Sequence, residues 1–194
     1  MPAMQTLADA TQLEHWLEHL AGAIADRMQA EPEAGWALVG LRRRGDQLAH
    51  RLAERLDADR LQQRVGSLDI TLYRDDLAEV GPQAVVRTTD VPFALDRLNV
   101  VLVDDVLMTG RSVRAALSSL MDLGRPKRVW LAVLVDRGGR ELPIAPDFVG
   151  LDLRETRSDE LTLPAPEDRV AVQLTPEDET DAIVIETATS NANA

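Results

Sequence analysis

The segment Leu98-Asn-Val-Val-Leu-Val-Asp-Asp-Val-Leu-Met-Thr-Gly-Arg-Ser112 joins an unbroken apolar run to two adjacent acids and a glycine turn flanked by hydroxyls. Val100, Val101, Leu102 and Val103 show no polar alternation, which predicts a strand buried on both faces and hence a parallel sheet covered by helices. The strand is expected to stop at Asp104-Asp105. Beyond the turn, Val113, Ala116, Leu117, Leu120 and Met121 recur at helical spacing, and a strand over Arg128–Val135 follows directly after Gly124-Arg125-Pro126. Residues 98–135 therefore read as a βαβ unit, and the fold class is α/β.

Working outward, residues 10–29 place Leu13, Trp16, Leu17, Leu20 and Ile24 on one face of an amphipathic helix. His15 and His19 sit among its solvated charges with no third metal ligand suggested, so they read as surface histidines. Trp36–Leu41 is a short buried strand, followed by the basic turn Arg42-Arg43-Arg44-Gly45 and a helix near 46–57. A further strand is expected at Ser67–Tyr73. Residues 75–97 lack sustained periodicity, as a functional flap does. Short strands are expected at Phe148–Leu151, Val170–Leu174 and Ile183–Ile185. Residues 1–187 are read as one domain and 188–194 as a disordered tail.

Length and composition bound the function classes. A chain of 194 residues, 45% apolar and without cysteine, can bury a real core and holds neither disulfides nor thiol nucleophiles. No apolar run approaches the ~18 residues of a membrane span. The first residues carry no basic and apolar leader pattern, so a cytoplasmic protein is expected. The net charge of −12 is concentrated in residues 141–194, which carry −10 of it. Long-range attraction to nucleic acid is therefore not expected unless the arginines of the body gather on one face.

The turn after the central strand carries the chemistry. Backbone N–H groups of residues 107–112, with the hydroxyls of Thr109 and Ser112, can wrap a phosphate at the positive end of a helix dipole. Asp104 and Asp105 can accept hydrogen bonds from the hydroxyls of an attached sugar. The Walker and dinucleotide glycine patterns are both absent. A ribose-5-phosphate site is the specific inference.

VVLVDDVLMTGRS resembles the phosphoribosyl pyrophosphate (PRPP) signature of type I phosphoribosyltransferases. Leu68-Asp-Ile-Thr-Leu-Tyr-Arg-Asp-Asp-Leu77, Leu131-Ala-Val-Leu-Val-Asp-Arg-Gly138 and Arg140-Glu-Leu-Pro-Ile144 narrow the resemblance to the PyrR family, bacterial pyrimidine operon attenuators that are also uracil phosphoribosyltransferases. The similarity runs from the first helix to about Ile185. It implies a central, mostly parallel sheet flanked by helices, with a small hood and a flexible loop near residues 74–92.

On matching residues, the resemblance gives Asp104 and Asp105 the ribose hydroxyls, and Val106, Leu107, Met108, Thr109, Gly110, Arg111 and Ser112 the 5′-phosphate. It makes Arg42, Arg43, Arg44 and Gly45 a pyrophosphate loop of unusual peptide geometry, with Arg74 beside it. It assigns Asp136, Arg137 and Gly138 to the reading of uracil, with Arg137 also close to the reaction. Uracil N1 would attack C1 of the ribose as pyrophosphate leaves, giving UMP. Mg²⁺ would be held mainly by PRPP oxygens and water, without a dedicated protein cage. A homodimer or homotetramer is implied.

The resemblance also implies RNA as a partner, and there the chain departs from the pattern. Glu18 and Gly22 stand where a hydroxyl residue and a histidine are expected, Gly139 replaces a usual histidine, and Val149-Gly-Leu151-Asp152 replaces a typical Val-Gly-Lys-Asn. Each change removes a donor or a positive charge, so RNA binding is expected to be weakened or lost. An offsetting basic face could draw on Arg43, Arg51, Arg55 and Arg140. Two readings remain: a salvage enzyme making UMP, and a weakly catalytic or non-catalytic sensor of UMP or UTP that acts on RNA or a partner protein.

Overall fold

The computed structural model describes residues 4–61, 63–73, 88–156, 164–165 and 167–187. In chain order its elements are β1 (Met4–Ala8), α1 (Ala10–Ala30), β2 (Trp36–Leu41), α2 (Gly45–Ala53), α3 (Ala58–Leu61), β3 (Val65–Leu68), β4 (Asn99–Leu107), α4 (Arg111–Leu123), β5 (Arg128–Asp136), β6 (Phe148–Asp152), β7 (Arg169–Gln173) and β8 (Ala182–Glu186).

Alternation along the central strands fixes the layers. Val101 and Val103 of β4 join Trp36, Leu38, Ala132 and Leu134 in a core completed by Leu13, Leu17, Leu20 and Ile24 of α1 and by Leu48 and Leu52 of α2. Val100 and Leu102, one residue out of phase, meet Val113, Ala116 and Leu120 of α4 on the other face. The sheet has the order β3-β2-β4-β5-β6, and every pairing in it is parallel. This is the expected α/β architecture of type I phosphoribosyltransferases, with helices on both faces. At the start of α1 the Asp9 carboxylate accepts from Gln12 N–H at 2.9 Å while the Gln12 side chain accepts from Asp9 N–H at 3.1 Å, a reciprocal cap.

Four boundaries differ from those read in the sequence. β4 does not stop at Asp104-Asp105 but runs to Leu107, because the equally long β5 continues the ladder with Val106 opposite Val135 and Leu107 opposite Asp136. The strand expected at 67–73 ends at Leu68, where the Asp69 carboxylate takes both Thr71 N–H and Thr71 Oγ–H and turns the chain into a 3₁₀ turn, Thr71–Tyr73. α2 ends at Ala53 rather than near residue 57. β1 lay hidden in a segment too short to show a period, and it pairs antiparallel with β8.

The chain termini thus build a second sheet, β1-β8-β7, antiparallel throughout. It stands over the carboxyl edge of the parallel sheet. Three ion pairs tie the connection between β7 and β8 to α2 and the residue before it: Arg51 with Asp181, Arg44 with Glu177, and Arg44 with Asp178. No helix among the described residues is long and apolar enough to cross a membrane.

Candidate active site

A cleft of about 530 Å³ opens at the carboxyl edge of the parallel sheet, a size that suits a small phosphorylated ligand. Its floor is formed by Asp104, Asp105 and Val106 at the end of β4, with Met108 and Ser112 beyond. One wall is the turn Arg42–Arg44, the other side holds Asp69 and Thr71, and β7 with Arg169, Val170, Val172 and Gln173 makes the roof.

The basic turn is shaped by a close approach. A Cβ on Gly45 would stand 2.4 Å from the carbonyl oxygen of Val103, so only glycine lets the start of α2 lie against β4 beside Asp104. The peptide between Arg42 and Arg43 is cis, the unusual geometry that the resemblance implied. Arg42 is 3.5 Å from Asp46, and its Nε is buried with no hydrogen-bond partner among the described residues. Arg43 is exposed. Arg44 lines the cleft, but its guanidinium is engaged by Glu177 at 2.7 Å and Asp178 at 2.8 Å.

The acids differ in their surroundings. Asp104 is 7% exposed, and burial first, then the neighbouring Asp105 carboxylate, push its carboxyl well above the ordinary carboxylate range. Asp104 accepts from Asp105 N–H at 3.0 Å, and Asp105 from Val106 N–H at 2.9 Å, which orients the two carboxylates along the strand end.

Between β4 and α4 the backbone is turned inside out. The carbonyls of Leu107 and Thr109 accept from backbone N–H groups of Arg137, Glu141 and Leu142 at 3.0 to 3.1 Å. The Met108 carbonyl accepts from the Arg140 guanidinium at 2.9 Å. In a planar trans peptide the N–H points opposite the C=O, so the N–H groups of Met108, Thr109 and Gly110 are directed away from the 137–142 turn. None of these three donates to anything among the described residues. Gly110, with φ +90°, makes the left-handed step that leads into α4. Three open amides before a helix N-terminus form an anion cradle.

The expected site residues fall into two groups. Arg42, Arg43, Arg44, Asp104, Asp105, Val106, Met108, Ser112 and Arg137 line the cleft. Leu107 and Gly138 are buried supports, Gly110 is buried but contributes its open amide to the cradle, and Arg111 is spent on Glu141 at 2.7 Å. Asp136 is fully buried and its carboxylate holds Arg140, Arg154 and Gly138 N–H, while Arg137 donates to the carbonyls of Ala165 and Asp168. Arg74 and most of the loop near 74–92 lie outside the described residues, as does the tail from residue 188. No chemical signal marks β7 as the roof, since an alternating Val-Ala-Val segment names no neighbour.

A parallel sheet with this acid pair and amide turn at its carboxyl edge defines a phosphoribosyltransferase of type I architecture. Residues 9–163 match the family described as phosphoribosyl transferase domain. The chain is 48% identical over 186 residues to bifunctional protein PyrR of Syntrophobacter fumaroxidans, covering 95% of this chain and 94% of that one. It is 50% identical over 156 residues to the protein of the same name from Roseiflexus sp., covering 80% and 84%. The chain belongs to the PyrR family of phosphoribosyltransferases. Among solved structures, the hypoxanthine phosphoribosyltransferase of Trypanosoma cruzi superposes with a TM-score of 0.67 at 18% identity, over 94% of each chain. A hypoxanthine-guanine enzyme of Bacillus anthracis gives 0.63 at 13% identity, over 94% of this chain and 99% of that one. At such identities the likeness is one of fold.

Proposed function

We propose that the chain transfers the 5-phosphoribosyl group of PRPP to uracil, forming UMP and releasing pyrophosphate. The observation that carries this reading is the cradle of open amides at residues 108–110 set directly after the Asp104-Asp105 pair. The cradle holds the 5′-phosphate, and the acids accept the ribose hydroxyls. Arg42 and Arg43, on the facing wall, take the pyrophosphate. Arg44 is already neutralised by Glu177 and Asp178 and serves mainly to hold the β7–β8 connection.

As the C1–oxygen bond to pyrophosphate breaks, uracil N1 bonds to C1 and its proton leaves to solvent. Positive charge on the sugar is tolerated beside the carboxylates, while Arg42 and Arg43 stabilise the negative charge gathering on pyrophosphate. Asp136 is consumed internally, so uracil is read by backbone groups near 136–138 and by Arg137, under the apolar roof of Val170 and Val172. No group of three or more Asp, Glu or His side chains among the described residues is placed to hold a metal ion. Asp104 and Asp105 would offer oxygen donors to Mg²⁺ that is held mainly by PRPP and water, as a hard cation requires. When bound, the ion supplies neutralisation of the leaving pyrophosphate.

The test is formation of UMP by purified protein from uracil, PRPP and Mg²⁺, with hypoxanthine as competing base and Asp104→Asn/Asp105→Asn as control. Turnover with uracil alone, lost in the control, is expected. Turnover with hypoxanthine instead overturns the choice of base.

A regulatory role belongs to the same proposal, with UMP or UTP occupying the cleft as the signal. Its RNA arm is weak in our reading. Arg51, Arg55 and Arg140, three members of the substitute basic face, are paired with Asp181, Glu14 and Asp136. Glu18 and Gly22 stand exposed on α1, whereas Leu151 packs in the core and does not contribute to an outer face. Filter binding to a pyrimidine operon leader RNA, with and without UMP, is expected to show weak retention.

A further inference from the structure

We propose that Arg140 is a positioning residue for the phosphate cradle: held by buried Asp136, it fixes the carbonyls of Leu107 and Met108 and so aims the amides of 108–110 at the ligand. The proposal rests on that cradle being the 5′-phosphate site. Arg140 stood in the sequence as a candidate for an outward basic face. In the structure its side chain is 19% exposed and every edge of the guanidinium is used. Nη2 donates to Asp136 Oδ2 at 2.7 Å, Nη1 to the carbonyls of Met108 at 2.9 Å and Leu107 at 3.3 Å, and Nε to the carbonyl of Ile144 at 2.9 Å.

Each of these bonds has a directional consequence. A carbonyl held on the far side of the turn forces the next N–H to the near side, since the peptide is planar. Arg137 N–H also holds Leu107, and Glu141 and Leu142 hold Thr109, but the Met108 carbonyl accepts from Arg140 and no other donor among the described residues. The amide it aims is that of Thr109, the middle of the three. Asp136 is fully buried and fixed in turn by Gly138 N–H at 2.9 Å and by Arg154 at 3.2 Å, which also pairs with Asp152 of β6. Rigidity of the sheet is thereby passed to a loop that must present three donors without rearranging when phosphate arrives. A planar, forked cation is needed, because one ammonium cannot span a carboxylate and two carbonyls at once.

The measurement is calorimetric titration of the full chain and of Arg140→Gln and Arg140→Lys with ribose 5-phosphate and, separately, with pyrophosphate. Loss of aim affects only the ligand held by the cradle. Arg140→Gln is expected to bind ribose 5-phosphate about tenfold more weakly, with pyrophosphate affinity within about twofold of the parent. Arg140→Lys, which restores the charge beside Asp136, is expected to recover part of the loss. In the uracil reaction KM for PRPP should rise more than kcat falls. Equal weakening of both ligands assigns Arg140 a general structural role and overturns the proposal, as does unchanged ribose 5-phosphate affinity. If Arg140→Gln does not fold, the same comparison is read from Arg140→Lys. A parent chain that binds no ribose 5-phosphate instead removes the reading of the cradle, a result distinct from either.

Discussion

Arg44 Nη2 lies 2.8 Å from a carboxylate oxygen of Asp178, across more than a hundred residues of chain, so the basic turn after β2 is fastened to the connection between β7 and β8. Asp178 also accepts Leu174 N–H at 2.6 Å, and Glu177 takes the other arm of the guanidinium at 2.7 Å. Arg44 therefore joins a wall of the cleft to the support of its roof. A cation with two carboxylates against it offers little net charge to a third anion.

Arg42 and Arg44 should accordingly separate by experiment. Arg42→Gln is expected to weaken pyrophosphate binding about tenfold with little change in Tm. Arg44→Gln is expected to leave pyrophosphate affinity within about twofold while costing about 2 kcal/mol of stability, or roughly 6 °C in Tm. Titration calorimetry and thermal melts on both variants check this. The reverse pattern would make Arg44 the phosphate ligand and the acids its competitors.

Asp104 presents a conflict between stability and function. Its folded carboxyl holds its proton to higher pH than in the unfolded chain, where the ordinary value is 3.8. The folded state thus binds more protons in the interval between the two values, and stability falls as pH rises through it. Asp104→Asn removes that penalty. It is expected to melt higher than the parent at pH 7.5, with the difference shrinking as pH falls towards 4, while UMP formation drops by a factor of about 10² or more. A series of melts against pH, beside the uracil assay, tests both halves, and a variant less stable than the parent at neutral pH contradicts the account.

How much of this was legible beforehand follows from the range over which each feature is determined. The βαβ unit is local: the apolar run Val100–Val103 and the spacing of Val113, Ala116 and Leu120 are sufficient for it. The acid pair and the turn at 109–112 are equally local, although the acids lie within the last residues of β4 rather than at the strand end that they predict. The extension of β4 to Leu107 was hidden because its partner β5 decides where the ladder ends. β1, the roof strand β7 and the pairing of Arg44 with Asp178 depend on contacts between the chain ends and the middle, which no window of sequence contains. The sequence offers Arg140 as a possible member of a basic face, and its partners Asp136, Leu107 and Met108 are brought to it only by the fold.

Gly45 gives a steric test of how the site is assembled. With a Cβ 2.4 Å from Val103 O and 3.1 Å from Asp104 Cα, Gly45→Ala must push the start of α2 away from β4. Both positions are backbone, so no side chain can rotate to relieve the contact. A loss of about 2–3 kcal/mol in urea unfolding is expected. Activity should fall further than stability predicts, because Arg42 and Arg43 move with the helix while Asp104 stays with the sheet. Retained kcat in a variant of unchanged stability would show that the approach can open at no cost.

Asp181 reports on the same roof from the acid side. Its carboxylate pairs with Arg51 and accepts Thr175 N–H at 2.8 Å and Thr175 Oγ–H at 3.0 Å. The Arg51 guanidinium chiefly, with the Thr175 donors, holds its carboxyl down at about 2. Here the unfolded chain takes up the proton first as pH falls, so the stabilisation is fully present above the ordinary value of 3.8 and is lost between there and about 2. Asp181→Asn is expected to melt several degrees below the parent at pH 7, with the two curves converging as pH falls from about 4 to about 2. Because Thr175 and Asp181 flank the connection that Arg44 also holds, the variant should bind uracil more weakly at neutral pH while ribose 5-phosphate affinity is retained. A constant difference in Tm across the whole acid range would place the effect of Asp181 outside the ion pair.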